Sequence, residues 1–214
     1  MGKINKGILG GFSGKVGNVI GASWKGIDYM RVKAAKVNNP RTEGQLDQRS
    51  KFSKVLHFLI PMKDFLKTGF KQYAIKMTEF NSALSYNIKN AVTGTYPNQT
   101  VDYANALVSR GDLTGVLNGS ASSTALGTVT FSWDDNSGTG SAKATDNAML
   151  LVFNPDKEEA LYITDGPSRD STTADLTIPD DYAGDTVHAY LAFISDEDKD
   201  VSDSKYMGSI AVSS

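Results

Sequence analysis

The chain has 214 residues, 40% of them apolar and 21% charged, a balance that excludes global disorder and leaves room for two small cores. It has no cysteine, which excludes disulfides, thiolate metal sites and thiol nucleophiles. The net charge of −2 conceals an asymmetry: residues 1–110 carry 17 Lys and Arg against 6 Asp and Glu, a net of +11, and residues 111–214 carry 5 against 18, a net of −13.

Two such surfaces attract, and in identical copies they favour head-to-tail contact, whereas a basic half alone would seek polyanions. No run approaches the roughly 18 apolar residues of a membrane span. The longest core-like run is Met149-Leu150-Leu151-Val152-Phe153. The start, MGKINKGILGGFSGK, is basic but has no sustained apolar stretch and no small-residue cleavage site, so no classical signal peptide is expected. The expected location before any assembly is the cytoplasm.

The first element is glycine-rich, with Gly10, Gly11, Gly14, Gly17, Gly21 and Gly26 set among Val16, Val19, Ile20, Trp24, Ile27 and Tyr29. The β-branched residues favour extended chain and the glycines admit another backbone at close range. This predicts a two-stranded ribbon over 15–23 and 27–33, turning through Trp24-Lys25-Gly26. A ribbon so poor in side chains needs a partner surface, in its own chain or in a neighbour. The expected assembly interface is Gly11, Gly14, Gly17, Gly21, Trp24, Lys25, Gly26, Tyr29, Arg31 and Arg41.

Asn39-Pro40-Arg41-Thr42 then reads as a turn that starts a helix, with Thr42 and Gln45 in capping-box spacing. Three amphipathic helices follow. The first runs to about Ile60, with Leu46, Phe52, Val55, Leu56 and Leu59 on one face; the second spans about 62–79, interrupted by Gly69; the third spans about 82–92. Short connections suggest a small bundle. Beyond Gly111 the period becomes two, and strands are expected over 113–121, 127–133, 148–154, 160–164, 174–178, 186–194 and 205–212. The expected class is α+β in two domains: a basic ribbon with three helices over 1–110 and an acidic seven-stranded β-sandwich over 111–214.

Val129-Thr130-Phe131-Ser132-Trp133 resembles the second strand of a fibronectin type III domain, with its core tryptophan. Thr186 to Phe193 is similar to that family's sixth strand, and Val201 to Tyr206 to the approach to its last. The resemblance covers about half the chain and implies a fold but no activity, since such domains serve as spacers, adhesive modules and decorations. The segments GFSGKVG, WKGIDYMR and NPRTEGQLDQRSKF resemble an uncharacterised family of roughly this length in Bacteroidota bacteria, and the last is similar to segments of phage-associated proteins. That resemblance spans the whole chain and brings no residue roles.

Motifs that invite chemistry fall short of it. Gly10 to Val16 evokes a phosphate loop, but Leu9 stands where its first glycine belongs and Val16 replaces the Ser or Thr that would hold magnesium. His57 and His188 lie in different predicted domains with no nucleophile pattern near either. Asp196-Glu197-Asp198-Lys199-Asp200 begins like a calcium loop, but Val201 and Met207 replace its glycine and terminal glutamate. Arg110-Gly111-Asp112, an adhesion tripeptide in some fibronectin domains, precedes the first strand here and is read as chance. Lys25, Arg31, Lys33, Lys36, Arg41, Arg49, Lys51 and Lys54, with Trp24, Tyr29 and Phe52 among them, would give salt-sensitive phosphate binding. The attached acidic half opposes it, so nucleic acid is not the expected partner.

The expectation is therefore a non-enzymatic structural protein without cofactor or metal. Many copies assemble head-to-tail, with other virion or surface proteins as further partners and the sandwich displayed outward. The alternatives are a monomeric module whose sandwich loops bind a glycan or protein, and nonspecific nucleic-acid binding by the basic half.

Overall fold

A computed structural model of the chain describes residues 3–4, 11–24, 27–35, 39 and 41–213. They divide into two compact units, Met1–Thr42 and Glu43–Ser214.

The first unit is an antiparallel sheet of β1 (Lys3–Ile4), β2 (Phe12–Val16), β3 (Val19–Trp24) and β4 (Ile27–Val32), in that order across the sheet. The sequence predicted only the last two. The missed hairpin turns at Gly17-Asn18, where Val16 opposes Val19 and Gly17 has φ +58°. A positive φ at the first of two connecting residues suits the twist of a tight hairpin, and glycine adopts it without strain.

The second unit opens with α1 (Glu43–Leu59), a 3-10 turn over Ile60–Met62 that takes Pro61 in its first turn, and α2 (Lys63–Gly69). The helix predicted to reach residue 79 stops at Gly69 for a tertiary reason. Gly69 O accepts the Arg110 amide at 2.7 Å and the Ser109 hydroxyl at 3.3 Å, so it is taken from the amide of residue 73 that a continuing helix would offer. The Tyr73 amide turns instead to Phe70 O at 3.1 Å, in a 3-10 turn over Lys71–Tyr73. A Cβ at Gly69 would stand 2.6 Å from Val108 O, so glycine admits the crossing chain. Next comes α3 (Glu79–Asn90), capped by the Thr78 side chain, which accepts from the Asn81 amide at 3.2 Å. A two-stranded ladder of β5 (Val92–Thr93) and β6 (Thr100–Val101) follows.

The remaining strands are β7 (Leu117–Ala125), β8 (Thr128–Asp134), β9 (Asn147–Asn154), β10 (Glu159–Ile163), β11 (Thr173–Thr177), β12 (Thr186–Ile194) and β13 (Lys205–Ala211). They form two antiparallel sheets, β11-β8-β7 and β10-β9-β12-β13. The first of these strands begins four residues later than expected, because Leu113 is buried and its amide bonds Val201 O at 3.1 Å.

Alternation along β9 sends Ala148, Leu150 and Val152 to the core shared with Val129, Phe131, Trp133, Ala174 and Leu176 of the facing sheet. Met149, Leu151 and Phe153 point the other way, into a second core with Phe58, Leu59, Met62, Phe65 and Leu66 of the helices. The strand β12 divides likewise, Leu191 and Phe193 against Tyr190, Ala192 and Ile194. Phe58 meets Phe153 edge-on at 5.1 Å, and Phe65 meets Tyr162 at 5.6 Å. The layers are helices, four-stranded sheet and three-stranded sheet, a mixed α+β unit in which β predominates.

This corrects the boundary expected after Arg110. The helices are not a separate bundle, since their apolar face is spent on the sheet and the chain around Arg110 is woven into the join. The Ser204 hydroxyl accepts the Val108 and Ser109 amides at 2.9 and 3.2 Å, and Ser109 donates to Ser202 O at 2.7 Å. A fragment of residues 43–214 is expected to melt cooperatively by circular dichroism. Residues 111–214 alone, with one sheet face uncovered, are expected to aggregate or show no transition. Phe58→Ala in the full chain should cost about 3–5 kcal/mol in denaturant melts.

Candidate assembly surface

In the first unit the pairing Ala22↔Tyr29 and Ile20↔Arg31 places these four residues on one face of the sheet, while Gly21↔Met30 and Val19↔Val32 lie on the other. Both faces carry exposed apolar side chains: Val32 is 75% exposed, Met30 72%, Ile27 66%, Val16 51% and Tyr29 44%. All six residues of β4 are exposed, and β4 ends the sheet. Neither core of the second unit takes a residue from before Val55, among the described residues. A unit this size rarely builds a core of its own, and such units usually need disulfides, metal or association.

The expected interface residues separate by role. Gly21 is buried within the sheet, where a Cβ would stand 2.1 Å from Phe12 O, so it serves the ribbon's own packing. Gly11 and Gly17 have open space around them, and Gly14 opposes Gly21 in the ladder. Tyr29 and Arg31 are displayed on β4, and Arg41 is exposed with φ +49°. Trp24 ends β3, while Lys25 and Gly26 lie outside the described residues. Residues 1–42 hold eight Lys and Arg against the single acid Asp28, a net of +7, and residues 43–214 hold 14 against 23, a net of −9. Arg49, Lys51 and Lys54, grouped with the basic ribbon in the sequence, lie on α1 in the second unit, where Lys51 pairs with Asp47 at 2.9 Å.

The other motifs are drawn into local structure. The glycine loop that evoked phosphate binding runs as strand β2 from Phe12, not as a turn ahead of a helix. Gly111 has its Cα side against Val201 O, Asp112 accepts from the Tyr73 hydroxyl at 3.1 Å, and Arg110 lies 4.1 Å over the Tyr73 ring. That tripeptide is held by its neighbours, with Arg110 and Gly111 half-buried and Asp112 exposed. The acidic loop between β12 and β13 spreads its carboxylates apart: Asp196 accepts from Thr145 at 2.8 Å and Asp200 from Gln72 at 2.7 Å. His57 Nδ1 stands 3.3 Å from the Glu158 carboxylate in the open. His188 stacks on Tyr103 at 3.8 Å with Nδ1 2.8 Å from the Tyr206 hydroxyl, and burial holds its imidazole below the usual value.

Two features escaped the sequence. Arg169 is fully buried, with Nη2 3.1 Å from Asp146 Oδ2, Nη1 donating to Asn136 Oδ1 at 2.7 Å and Nη2 to Thr114 O at 2.9 Å, over the Phe193 ring at 3.7 Å. The Trp133 indole donates to Arg169 O at 2.7 Å, so the tryptophan of the predicted strand anchors this clasp. The only signal was that Arg169 is the sole arginine of residues 111–214. The second feature is a groove of 290 Å³ floored by Phe58, Tyr103 and Phe153 and rimmed by Lys54, His57 and Glu158.

Comparison with known proteins brings a match to a family of unknown function, DUF6266, over residues 11–208. The match runs through both structural units. No curated protein matches the chain. Among solved structures it is similar to the fibronectin type III domain of the human collagen alpha-1(XX) chain, at 10% identity over 47% of this chain and 86% of that one, with a TM-score of 0.34.

Gly21→Val should destroy the β2–β3 pairing and release the Val19 and Gly21 amides to hydrogen exchange, while those of Ile20 and Ala22, which bond β4, stay protected; Gly11→Val should leave all four unchanged. The folded state binds fewer protons at His188 than the unfolded chain, so its contribution is whole above the ordinary imidazole pKa of about 6.5 and is lost as pH falls below it. His188→Phe is expected to flatten the fall in melting temperature between neutral and mildly acidic pH; an unaltered slope would contradict this.

Proposed function

We propose that this chain, which belongs to the DUF6266 family of unknown function, is a non-enzymatic structural protein that assembles from many copies into a particle or filament. The ribbon makes the contacts between copies and the β-sandwich is carried outward. The observation that carries the reading is a sheet with exposed apolar side chains on both faces and a fully exposed edge strand. Its unit has a net charge of +7 against −9 for the rest of the chain. Apolar area left in water on both faces favours association, and opposite charge on the two units favours contact of one copy's ribbon with the next copy's body. A head-to-tail contact of this kind gives a ring or an open filament according to whether its rotation closes. A component of a phage-like virion or tail is the concrete form, resting on the resemblance of NPRTEGQLDQRSKF to phage-associated segments. The strand orders β11-β8-β7 and β10-β9-β12-β13 support a fibronectin type III-like topology for the displayed sandwich.

A second reading, a ligand-binding module, is favoured by the groove of Phe58, Tyr103 and Phe153, whose aromatic floor and polar rim suit a glycan or peptide. Nucleic acid comes third, through the ribbon's cationic excess.

Light scattering on a sizing column separates these readings. The full chain should run as a large species at low salt and shrink at high salt, while residues 43–214 stay monomeric at both. A monomeric full chain at low salt would overturn assembly, and a species carrying nucleic acid by its absorbance would turn the reading to polyanion binding.

A further inference from the structure

We propose that β4 is a self-complementary edge that pairs antiparallel with β4 of a second copy across a two-fold axis at Met30, making one continuous sheet of the two ribbons. The proposal rests on the reading of the ribbon as the assembly element, and it specifies the partner, the strand and the register.

The register follows from which way the main chain points. The Lys33 amide donates to Asn18 O at 2.7 Å, one step beyond the Val19↔Val32 pair. Asn18 and Lys33 are therefore a hydrogen-bonded pair, and in an antiparallel ladder such pairs alternate with non-bonded ones. Ile27, Tyr29 and Arg31 thus turn their amides and carbonyls toward β3. Asp28, Met30 and Val32 turn theirs outward, to an edge that no other strand occupies among the described residues.

Those three residues are spaced evenly about Met30. A two-fold axis normal to the sheet keeps every residue on its own face, so only registers that pair residues of the same face are allowed. One of them satisfies all three outward residues within the strand. It sets Met30 against Met30 of the second copy and Asp28 against Val32 in both directions, with a donor and an acceptor exchanged at each pair. On the opposite face the same register sets Tyr29 against Arg31 of the second copy twice, an arrangement that allows cation–π contact.

Charge also permits this partner. Asp28 is the only acidic residue of residues 1–42 and offsets Arg31, so β4 is neutral within a unit of net +7. The strand has no proline, no lysine and no bulge along its pairing with β3, the devices by which edge strands avoid one another. What remains of the repulsion between two basic ribbons is screened by salt, so this contact strengthens at high salt, where a head-to-tail contact of opposite charges weakens.

The experiment uses the full chain, whose lack of cysteine makes single-cysteine variants unambiguous. In Met30→Cys the two-fold axis brings the new thiols onto opposed residues, with Cα atoms about 5.5 Å apart, within disulfide reach. In Val32→Cys the equivalent positions are offset by four residues, about 13 Å along the strand. Mild oxidation at high salt should give a disulfide-linked dimer from Met30→Cys and leave Val32→Cys uncrosslinked. Met30→Pro, which removes an outward amide, should turn a high-salt dimer into monomer by light scattering. Equal crosslinking of both cysteine variants, or a wild-type monomer at high salt, would overturn the contact. A dimer that persists at high salt with no larger species at low salt would uphold this contact while removing the head-to-tail one.

Discussion

Strands β9 and β12 are covered on both faces, and that double burial determines how the rest of the molecule is used. Leu150 and Leu191 face the three-stranded sheet, and Leu151 and Tyr190 face the helices. Each strand therefore contributes to two cores, and neither core is complete without it. At about 25 cal/mol per Å² of apolar surface, covering a second sheet face with large residues such as Met149, Phe153 and Ile194 is a major stabilising term. The helices that supply the cover turn Val55, Phe58, Leu59, Phe65 and Leu66 into it, and leave Phe52 and Ile60 exposed. The chain from Ala106 to Leu113 threads the join, its amides held by Ser204 and its own Ser109 bonded to Gly69 and Ser202.

The ribbon is built without such double burial. Its β-branched and aromatic residues favour strands, yet a four-stranded sheet with apolar side chains open on both faces has buried little of what normally stabilises one. The charge distribution follows the structural division more informatively than an equal split of the sequence. Residues 43–110 are basic by 4 charges, and they are built into the same unit as residues 111–214, which are acidic by 13. The other unit, the ribbon, carries +7. The attraction proposed between the units of successive copies and the pairing proposed along β4 have opposite expected salt dependence, which lets each be tested without the other.

Much of the second unit was legible because its strands obey simple alternation, and β8 and β12 stand within a residue of where that period places them. What the period could not convey was the third layer, although its trace was in plain view. Met149 to Phe153 is unbroken apolar chain, the mark of a strand covered on both sides, and a sandwich strand open to water on one side would have alternated. Helix lengths failed where tertiary contacts intervened, as at Gly69, whose carbonyl is captured from across the chain. In the ribbon, Trp24-Lys25-Gly26 drew attention as a turn while Gly17-Asn18 did not, since a two-residue hairpin is marked by little more than one glycine. Gly21, expected at an interface, is consumed by the approach of Phe12. The Arg169–Asp146 clasp joins positions with no periodic relation, so no reading of local pattern could have paired them.

The most direct test of the ribbon as the surface between copies is residue-resolved hydrogen exchange on the full chain over a range of protein concentration. The amides of Tyr29 and Arg31 point into the ribbon's own sheet and should be protected to the same degree throughout. Those of Asp28, Met30 and Val32 should exchange freely when dilute and become protected as concentration rises. Exchange at these three amides that stays fast at every concentration would contradict assembly through this edge.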